Sequence, residues 1–220
     1  MPDPILTDAD QERIKEAVSA AERRTSGEIV PYIVGRSGGY EVAVWRAASI
    51  LASFAMATGL AVAWAYEGWG HGWLYAGWGM ALLGFLGGTV GALLAQFVPA
   101  LKRLFAGQDR IARRVDRRAG LAFLEEEVFH TRDRTGILLF VSLFEHRIVV
   151  LGDSGINEKV EQSDWEAIVA TIRRGIRSGH FADGMVEAIG QCGQLLETKG
   201  VAARPDDFDE LKDDVRVRDR

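Results

Sequence analysis

The sequence predicts an α/β protein, a mixed sheet flanked by helices on both faces and interrupted by a two-helix transmembrane hairpin. Three observations carry this reading. Two long uncharged apolar runs, residues 47–66 and 73–101, lie in the middle of the 220-residue chain. Short β-rich segments, 28–34, 136–143 and 147–151, stand on either side of them. Between and around those segments, apolar residues recur at helical spacing.

Each uncharged run reaches the roughly 20 residues that cross about 30 Å of hydrocarbon as a helix. The loop between them, rich in Gly and Trp, carries Glu67 and His71 and no Lys or Arg. Trp64, Tyr66, Trp69, Trp73, Tyr75 and Trp78 cluster there, as aromatic side chains do at a membrane interface. Arg46 borders the first run, and Lys102, Arg103, Arg110, Arg113, Arg114, Arg117 and Arg118 follow the second. The positive-inside rule then puts both ends of the chain in the cytoplasm and the protein in the cell (inner) membrane as a two-span, multi-pass protein. The N-terminus, MPDPILTDADQERIKE, is polar and acidic, unlike the apolar core of a signal peptide. Gly84 with Gly88, and Gly87 with Gly91, form two overlapping small-xxx-small pairs. Such pairs allow close helix approach, and an oligomer through them is one expectation.

The remaining ~160 residues fit one ordinary domain. Its helices begin with 6–26, where Thr7 and Asp10 resemble a capping box and Ile14, Ala17, Val18 and Ala21 form an apolar stripe. Residues 28–34, EIVPYIV, read as a strand that Pro31 pushes towards a sheet edge or a bulge. Residues 108–128 read as a helix with Ile111, Val115, Ala122 and Phe123 on one face. The strands 136–143 and 147–151, joined by Phe144-Glu145-His146, read as an antiparallel hairpin with a solvated tip. Ser163 and Glu166 suggest a second capping box, opening a helix that Gly179 stops. Asp183 is expected to cap a last helix with Val186, Ile189, Gly193 and Leu196 inward. The organisation is therefore 1–40 and 107–200 as two parts of one domain, 41–106 as the hairpin, and 201–220 as a charged tail docked by Phe208, Leu211 and Val215.

Composition narrows the function. The formal net charge of −5 argues against nucleic acid as a partner. The basic stretch after the second span is suited to anionic lipid headgroups, with Arg113, Arg114, Arg117 and Arg118 as the contacts. Membrane lipid and another membrane protein are the expected partners. Cys192 is the single cysteine, so no intrachain disulfide forms.

If residues 28–34 and 136–143 run parallel and 147–151 returns antiparallel, Glu28, Asp133 and Asp153 share one sheet edge. Oxygen ligands from several loops suit a hard cation, Ca²⁺ or Mg²⁺, so these three residues are the candidate metal site. The alternative is a set of separate turn residues, with Glu28 paired to Arg134. Glu127 and His130 have the i,i+3 spacing of carboxylate-bridged metal sites but lack a second such pair. No phosphate-binding loop follows Cys192, and no Asp-x-Asp pair ends a strand.

The words TSGEIV at 25–30, TRDRTGILL at 131–139, RIVVLGDSGI at 147–156, GIRSG at 175–179 and ADGM at 182–185, in this order, resemble the TPM-domain family. The resemblance implies an α/β/α sandwich and an accessory role in a membrane complex; phosphatase activity and divalent-cation binding are also associated with the family. Most familiar members carry a cleaved signal and one anchor, whereas this chain has a hairpin. His180 stands where members often have Asp. The function these readings favour is a membrane-anchored cytoplasmic TPM-like module acting in a membrane protein assembly; the alternative is a divalent-metal-dependent phosphatase at the membrane.

Overall fold

A computed structural model describes residues 6–65, 72, 76–203 and 210–219. Tyr66, Glu67, Trp69, His71, Trp73, Tyr75 and Phe208, all given roles above, lie outside the described residues. The chain divides into two compact units, Met1–Ser37 with Arg114–Arg220, and Gly38–Arg113.

The first unit holds a four-stranded sheet. Its strands are β1 (Glu28–Val34), β2 (Gly136–Ser142), β3 (Arg147–Gly152) and β4 (Arg216–Arg218), in spatial order β3-β2-β1-β4. β1 pairs parallel with β2, with Glu28 opposite Gly136, and β2 pairs antiparallel with β3, with Ile137 opposite Gly152. β4 pairs parallel with β1 from Tyr32 to Val34. The mixed sheet is thus the expected one with an added strand.

Two expectations are corrected here. The charged tail, expected only to dock on the domain, contributes the strand Arg216–Arg218 to this sheet. β1 is consequently interior rather than an edge strand. The reason Pro31 is tolerated lies in the ladder. Glu28 donates its N–H to Thr135 on the β2 side, and Gly35 donates to Arg218 on the β4 side. Donors alternate along a strand, so the nitrogen of Pro31 faces β4, one step before the pairing begins at Tyr32 and Arg216. The carbonyl of Asp214 accepts instead from the Arg216 guanidinium.

Both central strands are buried along their whole length, so helices must cover both faces. One face carries Ile29, Ile33, Ile137, Leu139 and Val141 into the main core. Against it lie α1 (Asp8–Glu22), α7 (Gln162–Ser178) and α8 (Phe181–Thr198). The other face carries Val30, Tyr32, Leu138 and Phe140, with α5 (Gln108–Glu125) supplying buried Val115, Ala119 and Ala122. Tyr32 and Phe140, directly opposite in register, stack with ring centroids 5.7 Å apart. Arg118 of α5 lies over the Tyr32 ring at 5.2 Å and donates to its hydroxyl at 2.6 Å. This arrangement is the α/β/α sandwich.

Local signals hold in part. The Thr7–Asp10 capping box closes α1, with both bonds at 3.1 Å. α7 starts one residue before Ser163, on a box of Glu161 and Asp164, whose carboxylate accepts the Glu161 N–H at 3.0 Å. Asp164 also meets Lys199 at 3.0 Å, a second contact that Ser163 and Glu166 do not offer. Gly179 ends α7 at φ 76°, as expected. His180, not Asp183, holds the N-cap position of α8; Asp183 lies in the first turn, paired with Arg13. Val186 is partly buried, and Ile189, Gly193 and Leu196 are buried. α7 and α8 cross with no side chain between them at Gly175 and Gly184: a Cβ on Gly175 would sit 2.7 Å from the Gly184 Cα.

In the second unit, α2 (Glu41–Ala65) and α3 (Gly77–Phe97) are long and apolar enough to cross a membrane. Few of their residues are buried; Phe54, Leu60, Trp64, Phe85 and Phe97 point outward. Where the helices meet, small residues line the seam. A Cβ on Gly91 would come within 2.6 Å of the Ala47 carbonyl, and one on Gly87 within 2.7 Å of the Leu51 carbonyl. Gly84 faces Met56, and Gly88 faces Ala48 and Ala52. All four glycines named for an oligomer face α2 of the same chain. α4 (Pro99–Ala106) follows α3 after a break at Val98.

Candidate functional site

The parallel β1–β2 pair and the returning β3 bring the starts of β1 and β2 and the end of β3 to one sheet edge. Glu28, Asp133 and Asp153 lie along it, as the topology argument requires. Glu28 and Asp153 are each engaged by the chain itself. Glu28 is 6% exposed, and its two carboxylate oxygens accept the backbone N–H groups of Glu210 and Leu211, each at 3.2 Å. Glu210 in turn accepts the Arg132 N–H at 2.9 Å. The C-terminal segment is thus laced across this edge.

Asp153 caps the short helix α6 (Ser154–Asn157), its Oδ1 accepting the Ser154 N–H at 2.7 Å. Its Oδ2 is buried, 2.8 Å from Arg134 Nε, at an angle that makes no hydrogen bond among the described residues. Arg134 thus pairs with Asp153. Asp133 sits exposed in the loop between α5 and β2. That loop is tied by the Thr135 N–H on Thr131 Oγ1 at 2.9 Å and the Thr135 hydroxyl on the Ser26 carbonyl at 2.6 Å. A Cβ on Gly155 would strike the Asp133 carbonyl at 2.3 Å, so α6 presses on this loop and only glycine fits. Among the described residues no three His, Cys, Asp or Glu side chains are grouped to hold a metal ion. Glu127 and His130 form an exposed i,i+3 contact at 3.7 Å.

The opposite sheet edge holds a constellation that residue spacing alone did not single out. Glu145 is not a solvated hairpin tip but 6% exposed. Its carboxylate accepts the Ser37 N–H at 2.9 Å and the Ser142 hydroxyl at 2.5 Å. The Ser37 and Ser142 hydroxyls lie 2.6 Å apart. A tight turn at His146, φ 52°, folds Glu145 back. The signal available in sequence was the i,i+3 spacing of Ser142 and Glu145 across a hairpin. The arrangement ties the segment after β1 to the β2–β3 turn.

β3 is an edge strand. Asp153 donates its N–H to Gly136, so the alternating ladder turns the backbone groups of Ile148 and Val150 away from β2. Beside them runs an open groove of about 640 Å³. Asp116, Glu166, Arg147 and Arg173 line it with Trp165 and Val169. The four arginines assigned to lipid divide. Arg113 and Arg117 are exposed, whereas Arg114 and Arg118 are half-buried. Arg118 is engaged by Tyr32 and by Glu125 at 3.0 Å, so it serves the fold; the helical period turns it inward with Val115 and Ala122.

Comparison with known proteins agrees with this fold. Residues 98–195 match the family model described as the TPM domain. That segment is similar to the TPM domain and contains the words at 131–139, 147–156, 175–179 and 182–185 that carry the resemblance, while TSGEIV at 25–30 lies outside it. A solved structure, the NMR structure of BA42 protein from the psychrophilic bacterium Bizionia argentinensis, superposes with a TM-score of 0.60 at 18% identity, covering 99% of this chain and 98% of that one. At this identity the likeness is one of fold. No curated protein matches.

Proposed function

We propose that this protein is a TPM domain anchored in the cell membrane by the α2–α3 hairpin, both termini cytoplasmic, acting as an interaction module within a membrane protein assembly. The observation that carries the reading is the pairing of two outward-facing apolar helices with a domain whose acidic edge is engaged by its own chain. Glu28 is taken by the C-terminal segment and Asp153 by Arg134 and a helix cap. An enzyme needs catalytic groups converging on an open site. The domain instead offers a free strand edge beside a groove, a surface suited to recognition. The topology test is a reporter at each terminus, with both expected to read cytoplasmic; an extracytoplasmic terminus overturns the orientation. Co-purification in mild detergent, with identification of bound proteins, tests the assembly role; a monodisperse chain with no specific companion sinks it.

The second reading, a divalent-metal-dependent phosphatase, is favoured by one observation, the buried Asp153 Oδ2. A ligand that binds the folded state raises stability by RT ln(1 + [L]/Kd). If the site takes Ca²⁺ or Mg²⁺, either ion raises the melting temperature beyond an ionic-strength control, and Asp153→Asn removes the rise. Hydrolysis of an aryl phosphate that Asp153→Asn abolishes would replace the module reading with the enzymatic one.

A further inference from the structure

We propose that α4 is an interfacial helix that seats its Leu104 side at the headgroup–acyl boundary of an anionic phospholipid leaflet, with Lys102 and Arg103 at the phosphates. The inference rests on the reading that α2 and α3 span a membrane.

The geometry begins with length. α3 has 21 residues, and at about 1.5 Å per residue it extends about 31 Å, the thickness of the hydrocarbon layer. It stops where that thickness is used up. Val98 leaves the helical region at φ −107° and ψ 100°, as a residue before proline tends to. Pro99 then starts α4 at its first position, where its missing N–H is harmless.

α4, PALKRLFA, is two-sided. Its Ala106 is buried, yet Leu104 is 68% exposed, and Phe97 just before the break is 76% exposed. These side chains continue the outward apolar surface of α3. Burial of so exposed a leucine in an apolar phase is favourable. Lys102 and Arg103 adjoin it in sequence, the composition of a helix lying in a membrane surface. The same end of the hairpin holds Arg46, whose Nη1 donates to the Phe105 carbonyl at 3.2 Å, and Trp45, 74% exposed. An aromatic side chain and cationic side chains at the end of a span are what an interface selects. Lipid is therefore the occupant that fits both the apolar side and the charge.

The test uses the full chain in vesicles of phosphatidylcholine with and without phosphatidylglycerol. Leu104→Cys and Phe54→Cys, each with Cys192→Ser, are labelled with an environment-sensitive fluorophore. Quenching by lipids spin-labelled near the headgroup or deep in the acyl chain reads depth. The Leu104 label is expected to be quenched about twofold more by the shallow quencher than by the deep one, and the Phe54 label the reverse. Phosphatidylglycerol is expected to strengthen the Leu104 signal, and Lys102→Gln with Arg103→Gln to remove that gain. A Leu104 label untouched by either lipid quencher, whether accessible to aqueous iodide or shielded by a protein contact, overturns the proposal, provided the Phe54 label is quenched deeply. A Phe54 label that no lipid quenches overturns the spanning reading itself.

Discussion

Arg216, four residues before Arg220, donates from Nε to Glu126 Oε2 across 2.9 Å, with 12% and 17% of the two side chains exposed. Ninety residues separate them. Their ion pair fastens β4 to the segment that follows α5, and with it closes one side of the sheet. Arg216→Ala is expected to lower the stability of the domain by about 2–3 kcal/mol, because it leaves a largely buried carboxylate with only the more distant Arg218, at 3.8 Å. Urea denaturation of the full chain in detergent, followed through Trp165, measures it. A loss within about 0.5 kcal/mol, the range of ordinary surface substitutions, would mean that β4 is held by its backbone alone.

Gly175→Ala is expected to destabilise by about 1–3 kcal/mol, since overpacking forces apart two helices that touch backbone to backbone. Gly190→Ala is the control. No atom lies within 4 Å of a Cβ placed there, so in a helix interior it is expected to stabilise by about 0.5–1 kcal/mol. Equal effects from the two substitutions would refute the α7–α8 crossing described above.

The hairpin seam makes a similar contrast. Gly91→Ala puts a methyl 2.6 Å from the Ala47 carbonyl, whereas Gly88→Ala makes only ordinary contacts at 3.6 Å. Thermal unfolding in detergent is expected to shift down for Gly91→Ala and to stay near the parent for Gly88→Ala. A change in oligomeric state with unchanged melting would instead point to glycines that face a second copy.

Stability is expected to decline at both ends of the pH range. Burial pushes the Cys192 thiol up to about 12 from 9.0. The folded state therefore favours the neutral thiol; its contribution is full below the ordinary thiol value and is lost as pH rises from there through about 12. On the acid side, Lys199 and the Glu161 N–H hold Asp164 below the usual carboxylate range, Lys15 does the same for Asp214, and the Thr7 hydroxyl for Asp10. These contributions are present above the ordinary carboxylate value and fade as pH falls through the lowered ones. Native alkylation of Cys192 at pH 8 is expected to proceed only through unfolding; labelling as fast as a free thiol would contradict its burial.

The sequence by itself determined the features that depend on neighbours along the chain. The apolar runs, the Thr7–Asp10 box, the stop at Gly179 and the β2–β3 hairpin are local, and periodicity with capping chemistry suffices to specify them. The parallel β1–β2 pairing was only a supposition at that level; the structure supplies it, and with it the placing of Glu28, Asp133 and Asp153 on one edge. Only the tertiary structure decided what those carboxylates touch, because the partners of Glu28 come from Glu210 and Leu211, more than 180 residues away. The same holds for β4, three residues whose polar–apolar alternation is too short a run to read as a strand. They become a strand because β1 leaves an edge open and Glu126 supplies the counter-charge. Burial of Glu145 likewise depends on Ser37 arriving from the end of β1. Long-range pairing is set by which surfaces the packed core leaves unsatisfied, and that is a property of the folded chain rather than of any window in it.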